Sequence, residues 1–288
     1  MSEFDKMLVV GLDGLDYRKI QKYDCSNLML QTFGKLDTQG LALKTPMLWA
    51  SIITGKSPGE HGIDDMLAFK GEKARKLDDL MDRFFGFFGR SGLHLRKTVN
   101  YYLYDDSISV PDKNYMETDS IFEKVADSKA FDIPGYSEYP YISGKMNVAK
   151  LSRKNPPVSR KRVKRDIDAE HLYRKEQLFE NIGEHTLLMQ HFHYSDWHQH
   201  MYLSEEKDRQ LYKEMDELAG KILEKADDDT LVVFCSDHGL EDGGHRDEAF
   251  FSVNTDIDEN QSITTLLESC LEHVDYKNKE ETVESIEV

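Results

Sequence analysis

The chain has 288 residues, 39% of them hydrophobic and 10% aromatic, enough to bury a sizeable core, which excludes a disordered polypeptide. Its formal net charge of −17 argues against general affinity for nucleic acid or for an anionic membrane. No apolar run is long enough to span a bilayer, and the opening "MSEFDKMLVVGLDG" lacks a basic-then-apolar signal pattern, so a cytoplasmic protein is expected. Cys25, Cys235 and Cys270 are odd in number and widely spaced, which predicts reduced thiols and neither a disulfide framework nor a zinc knuckle.

In chain order, "MLVVGLD" (residues 7–13) predicts a strand buried on both faces that breaks at Asp13. After "GLAL" comes Thr45-Pro46, and "LWASIIT" (48–54) then has helical character. The local hydroxyls are Thr45, Ser51, Thr54 and Ser57. Thr45 reads either as a simple helix N-cap or as a hydroxyl favoured by the helix dipole and free backbone amides. From about residue 67 to 184 the chain is irregular and is expected to form an inserted cap over the sheet edge. Its Phe84, Phe85, Phe87 and Phe88 are either core or a stacking surface, and "FDIPGYSEYPYISGKMN" (131–147) predicts strand and turn. Residues 150–166 carry eight Lys or Arg against one acid, a solvated loop or a patch for an anionic substrate or partner. "DAEHLYRKEQLFENI" (168–182) then reads as a helix.

"HTLLMQHFHYSD" (185–196) predicts a second buried strand ending at Asp196. Residues 205–230 place Leu211, Met215, Leu218 and Ile222 at helical spacing. "LVVFCSD" (231–237) is a third buried strand, ending at Asp237. Strand, helix, strand implies a parallel sheet with crossover helices, so the polar groups at the carboxyl ends converge on the edge where open α/β sheets bind ligands. The predicted organisation is a catalytic α/β core in two parts, 1–66 and 185–273, around the cap 67–184, with a flexible acidic tail over 274–288.

Six groups sit at those strand ends. Asp13 follows the first strand, Asp196 and His200 are four apart in "DWHQH", and Asp237, His238 and His245 follow the third, with Gly243 and Gly244 giving a permissive turn before His245. A mixed set of carboxylates and imidazoles is what zinc, manganese or iron takes, and six such ligands suffice for two ions. His191, His193 and His198 surround the middle cluster, and by strand alternation His191 and His193 share one face with Ser195.

"VVGLDG", "TPMLWASIITGKSPGEHGI", "DWHQH" and "CSDHGLEDGGH" occur in the same order as motifs of the alkaline phosphatase superfamily, and the sequence resembles its type I phosphodiesterase/nucleotide pyrophosphatase branch, in its prokaryotic form. The resemblance covers roughly residues 7–66 and 186–250. It implies an alkaline-phosphatase-like, mostly parallel sheet flanked by helices, with an inserted cap. It further implies that Asp13, Thr45, Asp237 and His238 hold one metal ion, that Asp196, His200 and His245 hold the other, and that Thr45 is the nucleophile. One departure stands out: where family members with nucleotide pyrophosphatase activity often carry asparagine three residues after the threonine, this chain has Leu48. The anion pocket is then short of one donor, which Lys56 or backbone amides would have to replace.

These features together predict a phosphoric ester hydrolase, phosphodiesterase- or nucleotide pyrophosphatase-like, with two divalent cations, zinc before manganese, and a small phosphate-ester or nucleotide-type substrate. A phosphomonoesterase or phosphotransferase on the same site is the alternative within the class. A non-catalytic, metal-stabilised protein gripping a polyanion through residues 150–166 is the alternative outside it.

Overall fold

The computed structural model describes residues 2–66, 68–69, 108–109, 111–137, 160–202 and 204–279. The aromatic run at Phe84–Phe88 and the first part of the basic stretch, 150–159, lie outside the described residues. The strands are β1 (Lys6–Leu12), β2 (Thr32–Lys35), β3 (Ala68–Phe69), β4 (Ile108–Ser109), β5 (Ser128–Phe131), β6 (Leu187–Phe192), β7 (Thr230–Cys235), β8 (Gly239–Glu241), β9 (Gly244–Arg246) and β10 (Phe250–Val253). The helices are α1 (Tyr17–Lys22), α2 (Thr45–Thr54), α3 (Pro58–His61), α4 (Ile121–Lys124), α5 (Arg160–Asn181), α6 (Tyr194–Met201), α7 (Glu205–Lys225) and α8 (Leu266–Leu271).

Six strands form one mixed sheet in the order β2-β10-β7-β1-β6-β5. β1 runs parallel to both β6 and β7, and β5 runs parallel to β6. Only β10 is reversed, pairing antiparallel with β7 and β2. The expected α/β sheet flanked by helices is therefore the fold found. Alternation along the central strands feeds two cores. Met7, Val9, Leu231, Val233, Leu187 and Met189 face α2 and α8 on one side. Leu8, Val10, Val232, Phe234 and Leu188 face α1, α5, α6 and α7 on the other. Burial on both faces is why these strands read as continuous apolar runs; each such side chain stabilises the fold by about 1.5–3 kcal/mol.

The segment 67–184 is not purely a cap. Ser128–Phe131 is the edge strand of the main sheet, Ile121 and Phe122 of α4 belong to the first core, and Val163, Ile167 and Leu178 of α5 belong to the second. Residues 160–166 of the basic stretch are the first turns of α5, so they are helix and not loop. The acidic end is tethered as far as Lys279: Val274 bridges to Phe4, Asn278 bridges to Val125, and Lys279 donates to the Phe122 carbonyl at 2.9 Å. The helix expected over 205–230 ends at Lys225. All three cysteines are buried and free, and among the described residues no helix is long and apolar enough to cross a membrane.

Candidate functional site

The register of the central strands sets the site. Gly11 of β1 pairs with His191 of β6 on one side and Cys235 of β7 on the other. Two residues beyond that common level stand Asp13, His193 and Asp237, so three polar residues leave the sheet in one row at its carboxyl edge. Gly14, at φ +72°, turns the chain immediately after Asp13; a Cβ there would lie 3.1 Å from that of Asp196. Asp196 and His200 come from the first and last turns of α6. The turn between β8 and β9 is made by Asp242 and Gly243, both with positive φ, whereas Gly244 is already in β9. That hairpin sets His245 opposite Leu240 and returns it to the edge.

Two donor sets result. In the first, His238 Nε2 lies 3.4 Å from Asp13 Oδ1, 3.4 Å from Asp237 Oδ2 and 3.4 Å from Thr45 Oγ1. In the second, Asp196 Oδ1 lies 3.1 Å from His200 Nε2 and 3.5 Å from His245 Nε2, and the two imidazole nitrogens are 3.1 Å apart. The sets adjoin, since the His238 and His245 rings stack at 3.9 Å and 16°. Each of these two rings donates from Nδ1 to a backbone carbonyl, His238 to Gly239 and His245 to Leu43, which turns the Nε2 lone pair inward. All seven residues named from the sequence are thus brought to one edge.

Electrostatics follow from burial. Burial pushes the Asp237 carboxyl above its usual range, against the pull of His238, and burial lowers His238. His245 is also penalised by burial, but its bond to Asp196 and that residue's charge raise it overall. Both Asp237 oxygens are buried without a hydrogen-bond partner among the described residues, beside a second carboxylate, Asp13. A cation suits such a set better than a proton does. Zinc bonds of about 2.0–2.2 Å in tetrahedral array place ligand atoms roughly 3.3–3.6 Å apart. The observed separations fall within a few tenths of an ångström of that, so the residues present fit a divalent ion of the zinc class.

Thr45 is the first residue of α2 and not its N-cap; Lys44 holds the cap position and makes no side-chain cap bond. The amides of Thr45 and Met47 therefore have no capping side chain, Pro46 has no amide hydrogen, and the positive helix end faces the site. Leu48 is fully buried in the core and offers no donor. Lys56 follows the C-cap Gly55, at the far end of α2 from Thr45, so it cannot supply the missing donor.

Several supporting roles were not read from the sequence. His61 is fully buried, accepts the Ile63 amide at Nδ1 and donates to Ser51 Oγ at 3.0 Å, tying α3 to the middle of α2. Arg174 is buried, donates to the His191 carbonyl at 2.8 Å and is ion-paired with Asp132 and Glu170. Ser195 Oγ donates to the Asp13 carbonyl at 2.5 Å and Gln199 donates to that of Gly14 at 2.9 Å, so α6 grips the loop after β1. The signals lay in the motifs themselves, a histidine just after "SPGE" and polar residues interleaved with "DWHQH", but their partners are distant in sequence.

No curated protein sequence shows significant similarity to the chain. Among solved structures, a Pyrococcus horikoshii protein, PH0037, aligns at TM-score 0.48 and 13% identity over 95% of this chain and 97% of its own. Murine ectonucleotide pyrophosphatase/phosphodiesterase 5 aligns at 0.45 and 15% identity over 82% of this chain, which spans 57% of that protein. The alkaline phosphatase PafA aligns at 0.46 and 13% identity over 82% of this chain and 63% of its own. The sequence profile described as Type I phosphodiesterase / nucleotide pyrophosphatase matches residues 7–286. The chain, with its six-stranded mixed sheet, therefore belongs to the type I phosphodiesterase/nucleotide pyrophosphatase family.

Proposed function

We propose that the chain hydrolyses phosphoric esters, most simply phosphodiesters, with Thr45 as nucleophile and two divalent cations, zinc before manganese. Asp13, Thr45, Asp237 and His238 would hold one ion, and Asp196, His200 and His245 the other. When bound, such ions supply Lewis acidity, lowering the pKa of a coordinated hydroxyl or water and offsetting charge on phosphate oxygens. Thr45 Oγ1, its proton lost to solvent, attacks phosphorus; the new P–O bond forms as the bond to the leaving alkoxide breaks, and the alkoxide takes a proton from water. The amides of the first turn of α2 face the non-bridging oxygens, and the helix dipole favours their charge. Water then cleaves the phosphothreonine, releasing the phosphate product and restoring Thr45.

The observation that carries this reading is the position of Thr45, 4% exposed, at an uncapped helix N-terminus and 3.4 Å from His238. Leu48 favours a small phosphate ester over a nucleotide held by an additional amide donor. The test is release of nitrophenol from bis-nitrophenyl phosphate and from the mono-ester, with zinc or manganese added. Thr45→Ala should abolish turnover with bound metal intact, and near wild-type turnover would sink the nucleophile assignment. Faster turnover of the mono-ester selects a monoesterase. Turnover of neither ester, with metal still bound, selects the polyanion-binding alternative.

A further inference from the structure

Asp13 has a second neighbourhood. Its Oδ1 faces His238, whereas Oδ2 lies 3.1 Å from His193 Nδ1 and 3.6 Å from His191 Nε2. Asp13 is 1% exposed, and both histidines are fully buried. The backbone builds this pocket: His191 is the β6 residue paired with Gly11, and His193 is the N-cap of α6. Gly11 makes room for it, since a Cβ there would lie 3.2 Å from His191 Cδ2 and 2.7 Å from Trp49. The imidazoles are also clamped. Trp49 meets His191 edge-on at 4.7 Å and 83°, and Trp197 stacks on His193 at 4.8 Å and 6°. The chain has two tryptophans, and both are spent here.

Hydrogen bonding accounts for part of this arrangement only. A proton on His193 Nδ1 explains its 3.1 Å approach to Asp13 Oδ2. His191 Nε2, at 3.6 Å, is too far for a hydrogen bond, and neither of its ring nitrogens has a hydrogen-bond partner. Leaving a buried polar group unpaired costs about 1–3 kcal/mol. One cation at the point where the three side chains converge gives His191 Nε2 a partner together with Asp13 Oδ2 and His193 Nδ1, and separations of 3.1 and 3.6 Å bracket the edge of a tetrahedral zinc site. Arg174, close behind on the His191 carbonyl, is over-compensated by Glu170 and Asp132, so the surroundings do not repel a dication.

We propose that Asp13 is a bridging carboxylate, and that its Oδ2 together with His191 and His193 forms a third, buried site for a divalent ion of the zinc class. Two imidazoles and one carboxylate oxygen suit zinc and its transition-metal neighbours, not magnesium or calcium. An ion there fixes the carboxylate plane of Asp13 and so the direction in which Oδ1 is presented to the first donor set. The inference goes beyond the two-cation function proposed above and shares only Asp13 with it.

The experiment counts ions. The full chain is stripped with chelator, reloaded with zinc and freed of excess, and zinc per chain is measured by mass spectrometry of the digested sample. The comparison is His191→Gln/His193→Asn, in which amide nitrogens stand near Nε2 and Nδ1. These keep a donor for Asp13 but bind zinc poorly. The expected result is three equivalents in the wild type and two in the double variant, with the circular dichroism spectrum unchanged. Two equivalents in both overturns the third site and leaves the two-cation reading standing. Three in both overturns the assignment to these histidines, and fewer than two in the wild type overturns the two-cation reading as well. Should the double variant not fold, anomalous scattering at the zinc edge from crystals of the loaded wild type decides. A peak between Asp13, His191 and His193 supports the site, and its absence overturns it.

Discussion

Gly135→Ala tests how the nucleophile helix is held. Gly135 sits at φ +81° in a turn closed by the Tyr136 and Ser137 amides on the Ile133 carbonyl, at 3.1 and 2.8 Å. A Cβ at Gly135 would stand 2.6 Å from the Pro46 carbonyl oxygen and 3.4 Å from Ala50 Cβ, against the first turn of α2. Carbon and carbonyl oxygen in ordinary contact are about 3.3 Å apart or more, so one side must retreat by roughly 0.7 Å. The obstacle is backbone on both sides, which does not swing away as a side chain does. Left-handed alanine costs about 1–2 kcal/mol. Overpacking adds about 1–3 kcal/mol. At roughly 3 °C per kcal/mol for a chain of this size, Tm should fall by about 5–15 °C.

Activity should fall further than stability explains. Pro46 follows Thr45 directly, so a push on its carbonyl displaces Oγ1 relative to His238, and an error of about 1 Å in a reacting group costs roughly a hundredfold. At saturating zinc and well below Tm, kcat on a phosphodiester should drop about tenfold or more. Bound zinc should change little, because only Thr45 of the seven proposed ligands is displaced. Differential scanning fluorimetry, steady-state kinetics and metal counting on one preparation suffice. A Tm within about 2 °C of wild type together with turnover within about twofold would refute the steric reasoning.

Chelation should lower Tm and zinc should restore it, because an ion that binds only the folded chain adds about 2.7 kcal/mol at a hundredfold excess over its Kd; a Tm indifferent to chelator contradicts the donor sets. Asp237→Ala and His200→Ala should each reduce bound zinc, measured after gel filtration, and unchanged stoichiometry would count against both assignments. His171→Phe addresses acid lability. His171 is 3% exposed, stacked on Tyr194 at 4.0 Å, and burial lowers its pKa to about 3. The folded state then binds fewer protons than the unfolded state, so stability is full above about pH 6.5 and is lost as pH falls towards the folded value. At about pH 5 the wild type has lost roughly 2 kcal/mol from this residue, which phenylalanine would spare. Urea midpoints at about pH 7.5 and pH 5 check this, and an equal loss in both proteins would disprove it.

β1 and β7 were legible because a strand buried on both faces reads as an apolar run whose following acid marks the edge, whereas β6 was legible in part only: Gln190 and His191 lie within it, and it ends at Phe192 with Asp196 already in α6. The flanks were not legible. "SKAF" and "TFGK" are short outer strands, partly exposed, whose composition does not distinguish them from loop. Most of α5 was legible as the helix over 168–182, but its first turns, from Arg160, were hidden because five Lys or Arg surround the buried Val163 and Ile167 there. Further along, its inward face also carries His171 and Arg174 beside Leu178. Arg174 is tolerated there because Glu170 lies one turn back on the same helix and Asp132 follows β5. The role of His61 was hidden likewise, since its partner Ser51 lies on a different helix and only the fold joins them.

The site also constrains the fold that makes it. Asp13, His193 and Asp237 form a row only because Gly11 pairs at one level with His191 and Cys235. A strand slipped by one residue would send its alternating side chains to the opposite faces. In β7 that slip exchanges the Val233 and Phe234 environments, both apolar, so hydrophobic burial alone discriminates weakly against it. The polar row discriminates strongly. With β7 out of register, Asp237 and His238 move together away from Asp13, and Asp237 becomes a buried carboxylate out of reach of the cation the row would hold, a cost of several kcal/mol. An ion held by the row adds its binding energy to the native pairing alone. Metal binding and strand register are therefore coupled, and the central strands can be nearly featureless in sequence while the acids at their ends choose how they align.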